Sequence, residues 1–219
     1  MRHSAIVITL IVSLLPTPAW AEWYTLVVDN SDSMNNDQST GEPEGGQYPH
    51  RHIDYAYPLL YTYLGMYQGS LEFVGYHFAD EVEYISTGRS ALVNEFLRLA
   101  IFPNQRSTRG LTRPWEAVKW TFAPCHHLLM VTDGRIPNEE RLQLARQLPM
   151  ILASSITIAV LPHNDQADRG ERLKRDLGLT EDELLLLTGD IEHDTTMLQQ
   201  RAHRIEETEW VTGCAALIN

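Results

Sequence analysis

The sequence predicts an α/β protein: a doubly wound, mostly parallel central sheet flanked by helices, with one antiparallel edge strand. Three observations point there. Short continuous apolar runs, Tyr24-Thr25-Leu26-Val27-Val28, Leu128-Leu129-Met130-Val131 and Ile156 to Leu161, read as strands buried on both faces. Helical patterns alternate with those runs along the chain. Two of the runs stop in oxygen-rich turns, Asp29-Asn30-Ser31-Asp32-Ser33 and Thr132-Asp133-Gly134. Open α/β sheets bind their ligands at such carboxyl ends.

Taken in order, residues 1–21 form an expected secretory signal peptide. Arg2 and His3 precede an apolar stretch from Ala5 to Leu15, and Ala19-Trp20-Ala21 supplies the cleavage site. That stretch is too short for a bilayer, which takes about 20 residues. The first strand follows. Asn35 to Arg51, rich in Gly, Asn, Glu and Pro, then predicts a long irregular loop. Ile53 to Tyr67 predicts a helix that tolerates Pro58 near its first turn. Leu71 to Phe78 and Val82 to Ser86 predict a hairpin, and Ala91 to Ile101 a helix with Leu92, Phe96, Leu97 and Ala100 on one face. Pro114 to Phe122 predicts the next helix. After the Leu128–Val131 strand, Asn138 to Leu148 reads as an amphipathic helix capped by Asn138. Asp168 to Leu177 reads as a polar helix stopped by Gly178. Glu183 to Thr188 holds a last short strand, although Leu184 to Leu187 fits a helical turn equally. Thr195 to Glu207 closes the pattern as a helix. No repeat and no second domain interrupts residues 22–219.

The chain carries a formal charge of −12. An acidic balance of that size disfavours nucleic acid and anionic lipid as partners. No stretch after the leader is long and apolar enough to cross a membrane, so the mature chain is expected in the periplasm or outside the cell. Cys125 and Cys214 are the two cysteines. In an exported protein they suggest one disulfide, since Cys125 lies just before the central strand and Cys214 beyond the last helix; two separate thiols remain the alternative.

Asp29, Ser31 and Ser33 alternate one carboxylate with two hydroxyls. This all-oxygen set suits a hard cation. On its own the pattern equally describes a helix cap. Further on, Gly110-Leu111-Thr112 forms a tight loop before a helix, and Asp133 ends the central strand. With these residues in view, the chain resembles the von Willebrand factor type A domain, the integrin I-like family with a metal-ion-dependent adhesion site. That signature is Asp-x-Ser-x-Ser after the first strand, a Thr in a Gly-rich loop, and an Asp after the fourth strand. Glu72 to Val82 is similar to the family's second-to-third strand hairpin, and the likeness runs from about Trp23 to about Glu207.

The resemblance implies a metal site built from Asp29, Ser31, Ser33, Thr112 and Asp133. The hydroxyls would bind directly and the aspartates directly or through water. It implies Mg2+, or another divalent cation such as Mn2+ or Ca2+, and a protein partner that offers an Asp or Glu carboxylate. Adhesion, assembly or scaffolding by a monomer, or within a hetero-complex, is the function that follows. Thr132 is a candidate for a supporting hydroxyl, and Asp32 for a solvent-facing or capping role.

Several neighbours have readings of their own. The Asn35–Arg51 loop departs from the family pattern and is expected to set partner choice. His50 and His52 read as exposed loop residues, with a soft-metal pair as the sharper alternative. Arg106, Arg109 and Arg113 either steer an acidic partner or are simply solvated. His126 and His127 read as structural, Trp115 and Trp120 as packing residues. An enzyme is not expected. A phosphatase of the haloacid-dehalogenase type needs Asp-x-Asp, and Ser31 stands where its second acid belongs; no phosphate loop or nucleophile elbow occurs. A structural domain with an unused site is the third possibility.

Overall fold

The computed structural model describes residues 23–35, 52–102, 110–121, 127–147 and 156–209. The leader, most of the Asn35–Arg51 loop, His50, Arg106, Arg109, His126, Cys125 and Cys214 lie outside the described residues, and with them the disulfide.

Six strands form one sheet in the order β3-β2-β1-β4-β5-β6. They are β1 (Trp23–Asp29), β2 (Glu72–Phe78), β3 (Val82–Thr87), β4 (His127–Thr132), β5 (Ile156–Val160) and β6 (Leu184–Leu186). All neighbours run parallel except β2 and β3, which pair antiparallel, so β3 is the predicted edge strand. The helices are α1 (Asp32–Asn35), α2 (His52–Met66), α3 (Arg89–Ile101), α4 (Pro114–Thr121), α5 (Asn138–Gln147), α6 (Gln166–Leu177) and α7 (Ile191–Arg204), the last running into a π-helical turn at Ile205–Glu209.

The period of two along each buried strand sorts side chains into two cores. Leu26, Val28, Leu129 and Val131 face α2, α3 and α7, packing with Leu60, Phe96 and Leu198. Val27, Leu128, Met130 and Ile158 face α4, α5 and α6, packing with Val118, Leu144 and Leu173. The chain moves outward from β1 to β2 and β3, then returns to β4 on the other side of β1. That reversal opens a crevice at the carboxyl ends of β1 and β4, where doubly wound sheets hold their ligands.

Three local details differ from the sequence expectation. The loop does not begin at Asn35, because residues 32–35 already make one helical turn. Asn138 does not precede its helix; it is the first helical residue, and its Oδ1 accepts a bond from Arg141. The last helix starts at Ile191 rather than Thr195, because Asp190 caps it by accepting from the N–H groups of Glu192 and His193. Gly178 ends α6 in the left-handed region, as the sequence predicts. Among the described residues no helix is long and apolar enough to cross a membrane.

Candidate metal centre

The first turn is folded by its own side chains. Ser31 N donates to Asp29 Oδ1 at 3.0 Å, which bends the chain directly after β1. Asn30 N donates to Phe78 O at 2.8 Å and anchors the turn to the end of β2. The second loop is drawn in by Asp32 N, which donates to Gly110 O at 3.1 Å. Gly110 has φ +65°, and a Cβ there would come within 1.7 Å of Asp80 Oδ2, so both its conformation and its space require glycine.

The hydroxyls then meet. Thr112 Oγ1 donates to Ser31 Oγ at 2.8 Å, and Ser31 Oγ lies 3.0 Å from Ser33 Oγ. From the third turn, Thr132 Oγ1 donates to Asp29 Oδ2 at 2.6 Å and accepts from Gly134 N at 3.1 Å. Thr132 is therefore the brace between the β1 and β4 turns. Asp133 follows at once, its Oδ1 accepting from Arg135 N at 2.9 Å. Its Oδ2 is buried and accepts no hydrogen bond from any described residue. Among the described residues, the cations Arg135 Nε and Arg169 Nη1 each stand 3.7 Å from that oxygen, beyond bonding distance.

Asp29 and Asp133 are both fully buried, Ser31 and Thr112 nearly so, and Ser33 lies on the partly open side. Asp32 is exposed, which fits its expected solvent-facing role. Two carboxylates in so dry a place are electrostatically costly. Burial, and then the charge of Asp133, push the Asp29 carboxyl up to about 7 against the bonds from Ser31 and Thr132. A cation relieves both causes together. The donor set, two carboxylates and three hydroxyls with one carboxylate oxygen left without a bond, suits a hard divalent ion. Among the described residues no group of three or more His, Cys, Asp or Glu is placed to hold a metal.

The other sequence candidates distribute as follows. His52 is a correction: it is no exposed loop residue but the buried first residue of α2, its ring 5.4 Å from that of His163. Burial lowers its pKa to about 4, while the nearby charge of Asp133 pulls the other way. Arg113 stands 3.4 Å from Asp80 Oδ1 and is half-exposed. His127 is buried at the start of β4, against the Tyr24 ring, and Trp115 packs on the α4 side of the core.

Sequence reasoning missed Arg169. This arginine is only 5% exposed, donates to the Asp133 carbonyl at 2.8 Å, and pairs with Asp165 at 2.7 Å. A signal existed: Arg169, Leu173 and Leu177 share one buried stripe of α6, and a charge on an apolar stripe demands a partner.

No protein-family model and no curated protein matches the chain. Solved structures do. BatB from Bacteroides thetaiotaomicron superposes with a TM-score of 0.60 at 10% identity, covering 85% of this chain and 99% of that one. An aerotolerance-related membrane protein from Bacteroides fragilis gives 0.56 at 9%, covering 83% and 98%. The PilB minor pilin from Streptococcus sanguinis gives 0.60 at 11%, covering 90% of this chain and 64% of the pilin. At these identities the likeness is one of fold.

Proposed function

We propose that the chain is an exported module of the von Willebrand factor A type, which holds a protein partner through a divalent cation and a carboxylate of that partner. The observation that supports this is the meeting of the Ser31, Ser33 and Thr112 hydroxyls beside Asp29, with Asp133 following the Thr132 that bonds Asp29 and its Oδ2 buried without a hydrogen bond from any described residue. Those five residues would hold the ion, with Mg2+ favoured and Mn2+ or Ca2+ as substitutes. The bound ion supplies Lewis acidity toward one outside acid. Thr132 fixes Asp29, Arg169 fixes the Asp133 turn from behind, and Ser33 marks the side open to a partner. Structures that share the fold include a minor pilin, and assembly or adhesion at a cell surface is the role we assign by that analogy.

The test is a melting-temperature titration with Mg2+ after chelation. The native protein is expected to gain stability, and an Asp29→Ala, Asp133→Ala double variant is not. An unchanged native melting temperature, or an equal gain in the double variant, rejects the site. Partner capture that survives a chelator would instead favour a scaffold whose binding lies elsewhere on its surface.

A further inference from the structure

Beside the Asp133 turn lies a cavity of about 300 Å³ whose lining, among the described residues, includes Arg135, Arg141, Arg169, Arg172 and one acid, Asp165. Three carboxylates answer these four guanidinium groups, Asp165 and Asp133 beside Arg169, Asp133 beside Arg135 and Asp176 beside Arg141, which leaves one positive charge in excess in a chain of net charge −12. The four are committed to different degrees. Arg141 is committed: it reaches Asp176 at 3.0 Å, the Ile136 carbonyl at 2.9 Å, and Asn138. Arg169 is shared between Asp165 and the Asp133 carbonyl. Arg135 keeps its Nε 3.7 Å from Asp133 Oδ2. Arg172 is exposed and makes no hydrogen bond or ion pair with any described residue.

We infer that this cavity is a second anion site, which takes a further carboxylate of the same acidic partner segment whose first acid meets the metal. The inference rests on the metal-site proposal for its partner but not for its chemistry. Planar guanidinium forks match carboxylates in bidentate pairs, and Arg172, exposed at the rim, can turn into the hollow to form one. Arg169 joins the two sites physically, because one guanidinium touches both the Asp133 turn and the cavity. A cation on Asp133 also takes over the charge that now faces Arg135 and Arg169. Metal loading therefore strengthens the hold on the second acid, and occupancy of each site favours the other. The partner so described carries at least two neighbouring acids rather than a single one.

The test uses the full chain and a short fluorescein-labelled poly-glutamate peptide, with poly-glutamine as the neutral control and inorganic phosphate as competitor. Arg172→Gln and Arg172→Glu are the variants, since an exposed residue can change without unfolding the chain. The native protein with Mg2+ should bind poly-glutamate and ignore poly-glutamine. Arg172→Gln should bind about tenfold more weakly, the effect of one lost charge-assisted pair, and Arg172→Glu more weakly still. Its melting shift with Mg2+ should match that of the native protein. Equal peptide affinity in native and variant proteins overturns the inference. So does displacement-sensitive phosphate binding with no binding of poly-glutamate, which would assign the cavity to phosphate. A native protein that ignores Mg2+ yet loses peptide binding in Arg172→Gln sinks the metal site and leaves the cavity standing.

Discussion

Replacing Asp29 with Asn should stabilise the metal-free protein while destroying its response to metal. Asp29 is fully buried beside a second carboxylate, and its pKa climbs from 3.8 to about 7. A carboxyl whose folded pKa is raised binds its proton more tightly when folded. Its burden on stability is therefore absent below about pH 4 and grows as pH rises toward 7. The interval of about 3 decades, at about 1.4 kcal/mol each, amounts to about 4 kcal/mol above pH 7. Asn has nearly the same shape, can keep the bond from Ser31 N, and cannot accept well from Thr132, a loss of about 1 kcal/mol. Urea unfolding in EDTA should find Asp29→Asn about 3 kcal/mol more stable than the native chain at pH 8. The two stability curves should meet between about pH 4 and 5. The same variant should show no melting shift with Mg2+. A native protein that is the more stable of the two at pH 8 in EDTA would refute the electrostatic account.

Thr112→Val should keep the fold, cost about 1 kcal/mol through loss of the bond to Ser31, and cut the melting shift with Mg2+ by more than half in the same titration. His77, which meets Tyr57 Oη at 3.1 Å, is held neutral by burial with a pKa of about 4. A base depressed in the folded state loses stability as pH falls from 6.5 toward 4. Denaturant curves should show a loss of about 2–3 kcal/mol over that range, much reduced in His77→Gln. Asp194 receives Tyr55 Oη, Thr188 N and Oγ1, and Gly189 N, so Asp194→Ala should cost about 3–5 kcal/mol by urea unfolding. Gly110→Ala should lower stability and weaken the metal response together, because Asp80 must leave its place over the loop that presents Thr112.

The sheet was legible because its inner strands are buried on both faces. Leu26 to Val28 and Leu128 to Val131 have no polar side to blur the signal, and each ends in the turn that matters. The bonded turn after β1 was legible for a related reason: a tight turn after a buried strand leaves few conformations, and Asp and Ser at fixed offsets declare theirs. What brings those turns into register was not. The Thr132–Asp29 bond, the Arg169 contact behind Asp133, and the burial of His52 against His163 all join residues far apart in sequence. Local pattern carries no record of such meetings. The one-turn helix at residues 32–35 was hidden by the polar composition that follows it, and the α7 start by reading Thr195 rather than the Asp190 cap.

The bond that closes the site spans 103 residues of chain. At roughly 5–20 residues per second, a ribosome needs about 5–20 s to travel from Asp29 to its brace. Until the third turn is in place, an ion would find at the first only one acid and two alcohols, a poor trap. On the proposed function, capture would wait for the finished fold, and the ion would stabilise the completed site without templating its assembly. A reservoir at a hundred times the dissociation constant would then favour the finished molecule by about 2.7 kcal/mol over every incomplete one.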